Sequence, residues 1–236
     1  MVVKILNRIN IRFFLVFIFS TSVCLSVKSQ QIKVISSPRE YQHRLSDDSL
    51  LKMVELKGIC SGIIYDLRYA TPNNFTGRQL YKKGDKTYLR LKPAEALRKV
   101  QEELSGKGLG LKVFDAYRPY AATVKMWNLV KDERYVANPS KGSGHNRGLA
   151  IDLTIIHLNT KEELDMGTGF DNFTDSAHHD FKELPENVLE NRMLLKGIME
   201  KYGFTSLETE WWHYYWPNNR KYDVLNIGFQ KLGEQQ

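Results

Sequence analysis

Two short segments of this sequence hold residues that could do chemistry together. One runs Ser143-Gly144-His145-Asn146-Arg147-Gly148-Leu149-Ala150-Ile151-Asp152, the other Glu210-Trp211-Trp212-His213. Two imidazoles and a carboxylate, here His145, Asp152 and His213, make a common ligand set for catalytic zinc, with the fourth position left to water. Such a cluster stays net positive, and its charge lowers the pKa of that water toward roughly 7. Glu210 then stands as the base that takes the water's proton and passes it to a leaving amine. Arg118, in Asp115-Ala116-Tyr117-Arg118-Pro119, precedes a proline that restricts the local backbone. Its guanidinium could steady an oxyanion, grip a carboxylate with two prongs, or simply bridge to Asp115.

Each residue also has a plainer reading. A lone histidine in a polar loop is ordinarily a surface histidine. Asp152 could pair with an arginine, and the aromatics around His213 suit a core strand. What favours the metal is the combination, because an ionised carboxylate inside Leu149-Ala150-Ile151-Asp152-Leu153 is costly unless paired or bound to a cation.

The elements around these residues must meet definite conditions. Alternation puts Leu149, Ile151, Leu153 and Ile155 on one strand face and Ala150, Asp152 and Thr154 on the other, with small neighbours leaving room beside Asp152. On a straight strand His145 would lie roughly 23 Å from Asp152 and point the opposite way. They converge only if the chain bends. Gly148 offers the bend and Gly144 a close approach. Glu210 and His213 also face opposite ways on a regular strand, so they share a site only at a strand end or a bulge.

Periodicity predicts a strand over 59–69, a loop over 71–77 and a helix from Pro93 through Ala94, Leu97, Val100 and Leu104. A strand over 109–114, a helix over about 120–130, a loop over 137–148 and a strand over 149–156 follow. Residues 157–185 form a polar stretch whose length ordinarily signals function or motion. A helix over 186–201 and an aromatic strand over 209–216 complete the set. This order predicts a single α+β domain with a central, mainly antiparallel sheet flanked by helices, and the zinc site on the sheet.

The 236 residues suffice for one domain with a sizeable core. Lys4, Arg8 and Arg12 precede an apolar run over 13–19 that is short for a membrane span. With Val27 and Ser29 suiting cleavage, residues 1–29 read as a signal peptide, 30–50 as a poorly ordered lead-in and 51–236 as the catalytic domain. The expected location is the periplasm, with no membrane span after cleavage. A retained anchor, or lipidation at Cys24, is the alternative; Thr21-Ser22-Val23 fits a lipoprotein signal poorly. Removing Lys4, Arg8, Arg12 and Lys28 takes the formal net charge from +7 to +3. No basic stripe with interleaved aromatics remains, which argues against nucleic acid as a partner. Cys60, in an apolar setting, reads as an inert buried thiol. Nothing in the sequence sets the oligomeric state.

Several segments resemble the D-alanyl-D-alanine dipeptidases, within the wider D-alanyl peptidase and carboxypeptidase superfamily. They are Tyr69-Ala70-Thr71 with Asn73-Asn74-Phe75-Thr76-Gly77, Asp115 to Pro119, Ser143 to Gly148 through Asp152-Leu153-Thr154, Met166-Gly167 with Phe170-Asp171, and Glu210 to His213. The resemblance implies one zinc ion per chain held by His145, Asp152 and His213, with Glu210 as base and Arg118 as transition-state stabiliser. It implies a small closed cavity that hydrolyses D-alanyl-D-alanine to two D-alanines. It puts Ser143, Asp171, Asp115 and Tyr69 on the substrate side, Asp171 facing the substrate ammonium. The family's usual Asp-Gly-Tyr-Arg-Pro run has Ala116 for its glycine, tolerable unless that position needs φ > 0. A carboxypeptidase trimming wall peptides, and a non-catalytic wall-binding module, are the rival readings; a capping role for 157–185 would favour the dipeptide.

Overall fold

The computed structural model describes residues 32–82, 84 and 86–234. Residues 1–29, read as a signal peptide, and Cys24 lie outside the described residues. In chain order the elements are β1 (Val34–Ile35), α1 (Pro38–Asp47), β2 (Met53–Glu55), α2 (Leu56–Ile59), β3 (Ile64–Tyr65), β4 (Tyr88–Arg90), α3 (Leu91–Ser105) and β5 (Leu109–Asp115). They continue with α4 (Tyr120–Val130), α5 (Gly144–Arg147), β6 (Ala150–His157), α6 (Glu186–Lys201), β7 (Thr205–Leu207), β8 (Glu210–Tyr215), β9 (Val224–Leu225) and α7 (Phe229–Gly233).

The main sheet has the order β3-β5-β6-β8-β7. Its β3–β5 pair is parallel and the other three pairs are antiparallel, so the sheet is mixed and mainly antiparallel as expected. Alternation explains its core. Leu111 and Val113 of β5 and Ile151, Leu153 and Ile155 of β6 pack with Leu97, Val100 and Leu104 of α3 and with Leu195 and Met199 of α6. The opposite pleat of β6 presents Ala150, Asp152 and Thr154. Two two-stranded sheets, β1 with β9 and β2 with β4, complete the strands among the described residues.

Three segments differ from expectation. Residues 59–69 are not a continuous strand. Helix α2 runs into them, Gly62 turns at φ +84°, and only Ile64 and Tyr65 pair with β5. Apolar residues there are buried from turns, a case that an apolar run by itself does not separate from a strand. Within the expected lead-in over 30–50, the described residues 32–50 hold regular elements. Ser37 Oγ accepts from the Glu40 N–H, Pro38 starts α1, and β1 pairs in parallel with β9. Helix α1 buries one residue, Tyr41, and is polar almost throughout, so its sequence offers few apolar positions from which to read it; the Tyr41 hydroxyl accepts from the Met53 N–H at 2.7 Å. Within the expected loop 137–148 lies the one-turn helix α5, which carries His145.

Candidate active site and metal centre

Register across the sheet assembles the floor of the site. Asp152 of β6 is the cross-strand partner of His213 of β8, so the two side chains share a face. On the other side of β6, a register shift after Val113 brings Asp115 of β5 opposite Asp152. Asp115, Asp152 and His213 thus form a row over three adjacent strands.

His145 arrives from α5. Ser143 caps this helix, its Oγ accepting from the Asn146 N–H at 3.1 Å while Asn146 Oδ1 accepts from the Ser143 N–H at 3.0 Å. Gly148 closes the turn in the left-handed region, φ +68°, and folds the chain back so that the Leu149 N–H reaches the Gly144 carbonyl. A Cβ on Gly148 would fall 2.6 Å from Met53 Cε, and one on Gly144 2.9 Å from Ala150 Cβ. Gly144 is needed for its close approach to Ala150, and Gly148 for the left-handed turn that bends the chain between His145 and Asp152. Asn146, buried, donates to the Arg118 carbonyl and to Thr123 Oγ1, each at 2.8 Å, locking α5 against the start of α4.

The result is a cluster of three ligand atoms within 4.8 Å of one another. His145 Nδ1 lies 2.8 Å from the Ala116 carbonyl, an acceptor only, so the proton sits on Nδ1 and the Nε2 lone pair faces the cluster. From Nε2 the distances are 3.3 Å to His213 Nδ1 and 3.4 Å to Asp152 Oδ2; His213 Nδ1 lies 2.8 Å from Asp152 Oδ1. Ligands about 2.0–2.1 Å from a tetrahedral centre stand roughly 3.3–3.4 Å apart, so the two distances from His145 Nε2 suit a small divalent ion, while the 2.8 Å His213–Asp152 contact is of hydrogen-bond length. Electrostatics agree. Burial, and then the neighbouring Asp115 carboxylate, push Asp152 well above the usual carboxylate range. Burial likewise holds His145 and His213 below the usual histidine value, favouring neutral imidazoles. A cation would relieve what these groups lack.

Glu210 is the first residue of β8. The β7–β8 register shifts between Ser206, opposite Tyr214, and Leu207, opposite Glu210. This irregularity lets Glu210 and His213 share the site, with Glu210 Oε2 3.9 Å from His213 Nδ1. Burial raises the Glu210 carboxyl to about 7, with Asp152 and Asp171 adding to the rise and His213 opposing it.

Arg118 is buried at the cavity wall, and its Nε and Nη2 reach Asp115 Oδ2 at 2.8 and 2.7 Å. Its guanidinium also lies over the Tyr69 ring, 4.7 Å from the centroid, and 3.9 Å from Asp152. Asp115, expected on the substrate side, does not line the cavity. It is fully buried, and its oxygens are taken by Arg118 and by the Tyr81 hydroxyl at 2.8 Å. Its position makes it a holder of Arg118. Ala116 has no positive φ, so its methyl is accommodated.

The cavity above this floor measures about 360 Å³, at the small end of the roughly 300–1,000 Å³ of ligand pockets. His145, Asp152, His213, Glu210, Arg118, Ser143, Asp171 and Tyr69 all line it. The Tyr69 hydroxyl donates to Asp171 Oδ1 at 2.8 Å, while the buried Oδ2 has no partner among the described residues. Asp171 also adopts φ +62°, a strained choice for a non-glycine residue. Burial, assisted by Asp152, raises its carboxyl to about 7. Cys60 is buried far from this chemistry in role, its thiol pushed up to about 12 by burial.

Arg192 is a positioning residue that the sequence reading missed. From α6 its buried guanidinium donates to the carbonyls of Met166, Ser176 and His178 at 2.8, 2.8 and 3.0 Å. Together with the Trp211 Nε1–H donated to Thr168 Oγ1, this pins the loop that carries Asp171. A charged residue at an otherwise buried helix position is the signal that could have found it. Replacing Arg192 with Gln leaves three loop carbonyls short of donors. The expected result is a KM raised about tenfold with kcat within about threefold, read by steady-state kinetics.

A cluster of candidate ion ligands, a carboxylate beside it and a held arginine in a small cavity suit a peptidase, the class that the family match shows. The chain belongs to the D-ala-D-ala dipeptidase family, whose model matches residues 49–231. It is 36% identical over 176 residues to the D-alanyl-D-alanine dipeptidase of Escherichia coli K12, covering 74% of this chain and 89% of that one. It is also 36% identical over 173 residues to the D-alanyl-D-alanine dipeptidase of Enterococcus faecalis, covering 65% and 85%. Among solved structures the LD-carboxypeptidase LdcB aligns at a TM-score of 0.41 and 20% identity, over 70% of this chain and 67% of that one, too distant a likeness to carry residues across.

Proposed function

We propose that this chain is an exported, zinc-dependent dipeptidase that hydrolyses D-alanyl-D-alanine to two D-alanines. The observation that carries this reading is the meeting of His145 Nε2, Asp152 and His213 Nδ1 within 4.8 Å of one another beside Glu210. Zinc bound by these three would supply a Lewis acid and lower the pKa of a water in the remaining position. The rest of the work falls to the chain. Glu210, lifted toward neutrality by burial, takes the proton of the attacking water and delivers it to the leaving amine nitrogen. Arg118, held by Asp115, offers N–H donors to the carbonyl oxygen as its charge develops. The free oxygen of Asp171 receives the substrate ammonium, with Tyr69 fixing the carboxylate's orientation.

A non-catalytic wall-binding role fits poorly, because a base, an oxyanion donor and an ion site all face one cavity. We read residues 1–29 as an export signal from their basic start and apolar run, followed by the catalytic domain. No described helix is long and apolar enough to cross a membrane. The test is an assay of the purified protein, with and without chelator, on D-Ala-D-Ala, L-Ala-L-Ala and a wall pentapeptide. Chelator-sensitive release of D-alanine from the first alone supports the reading. Preference for the pentapeptide would reassign the chain to carboxypeptidase action.

Ammonium binding by Asp171 has a pH signature. With its carboxyl at about 7, the anion needed for the ammonium is lost as pH falls through that value. KM for D-Ala-D-Ala should therefore climb below about pH 7. The Asp171→Asn variant should show a high KM with that climb absent, which a KM–pH profile reads directly.

A further inference from the structure

One side of the cavity mouth is built from three aromatic rings drawn from three different loops. Phe75, Tyr135 and Phe173 all line the cavity. Phe173 is the middle ring, its centroid 5.1 Å from Phe75 at 88° and 4.6 Å from Tyr135 at 41°. Phe75 in turn meets Tyr69 edge-on at 6.2 Å. The ligands His145 and Asp152 lie buried at the floor, whereas Tyr135 is 36% exposed and Phe75 and Phe173 are half-buried, so the row marks the solvent side. Among the described residues, no hydrogen bond joins the Tyr135 loop to the Phe173 loop. Aromatic packing is what the structure records between them.

The row also stands beside the Asp171 carboxylate. Phe173 follows Asp171 by two residues, and Phe75 packs on Tyr69, whose hydroxyl holds Asp171. If the substrate ammonium sits at Asp171, as proposed above, any acyl chain on that nitrogen has to leave past these rings. We propose that Phe75, Phe173 and Tyr135 form a length sieve that admits a free-amine dipeptide and rejects the same dipeptide extended at its N-terminus. The sieve rests on the dipeptidase reading and adds the residues that set substrate length. Rejection by bulk is also the kind of discrimination an apolar wall can supply, since an extended substrate must displace rings rather than forgo a hydrogen bond.

The test compares zinc-loaded wild type with Tyr135→Ala and Phe173→Ala on D-Ala-D-Ala and on L-Lys-D-Ala-D-Ala. The readout is the ratio of kcat/KM for tripeptide over dipeptide. Tyr135→Ala removes a surface ring and is the variant best placed to fold; circular dichroism checks both. The sieve predicts a ratio raised about tenfold or more in at least one folded variant. An unchanged ratio in variants that still split the dipeptide overturns the sieve and leaves the dipeptidase reading standing. Loss of dipeptide turnover with no gain on the tripeptide also overturns it, because the rings would then belong to the dipeptide's own seat. A wild type that splits neither peptide sinks the dipeptidase reading and the sieve with it.

Discussion

Replacing Glu210 with Ala should lower kcat on D-Ala-D-Ala by about 10³-fold while leaving the zinc content at the wild-type level. The separation of the two readouts follows from position. Glu210 lies on β8 at the register shift, 3.9 Å from His213, but outside the cluster of three ligand atoms. Its loss removes a proton carrier and no ligand. Asp171, a further carboxylate lining the cavity outside the cluster, already has one oxygen engaged by Tyr69. It is therefore poorly placed to substitute. Glu210→Gln keeps the volume and should fall by a similar factor, showing that the proton and not the packing matters. Turnover within tenfold of wild type in either variant would refute the assignment of the base.

The second large effect has opposite signs for function and stability. Asp152→Asn should abolish zinc retention and bring turnover to background, yet leave the metal-free fold as stable as wild type or more so. Asp152 sits fully enclosed in a strand and faces Asp115 across the sheet. Its carboxyl is pushed well above the usual range, burial being the larger cause and Asp115 the next. A carboxyl with a raised folded pKa binds more protons folded than unfolded. The metal-free protein therefore loses stability as pH rises above the ordinary carboxylate value. Asparagine removes that charge and keeps the shape. Denaturant titrations of chelated wild type and variant at neutral pH read the difference. A metal-free variant clearly less stable than metal-free wild type would show that Asp152 serves the fold and not an ion.

The legible parts of this protein were those with period or chemistry in the sequence. Helices α3, α4 and α6 and strands β5, β6 and β8 lie near their expected bounds because each buries a face of regular spacing. The geometric conditions set by the chemistry were legible too. The chain does bend at Gly148, and the β7–β8 register does break between Glu210 and Tyr214, a span that includes His213. What was hidden depended on distant partners. Helix α1 reads as a polar stretch because only Tyr41 is buried. Strand β3 is two residues long because Gly62 turns the chain before it, and α5 is a single turn held by Ser143, Asn146 and Gly148. Asp115 looked like a substrate contact because its motif sits beside the site. Only the folded chain shows Tyr81, 34 residues away, and Arg118 occupying its oxygens. Arg192 was hidden for the same reason, its acceptors lying 14 to 26 residues back along the chain.

The most direct measurement is anomalous X-ray scattering at the zinc edge from crystals of the zinc-loaded protein. One strong peak should lie within about 2.0–2.2 Å of His145 Nε2, Asp152 and His213 Nδ1, at full occupancy. A site left empty under those conditions, or a peak bound elsewhere with activity intact, would contradict the account.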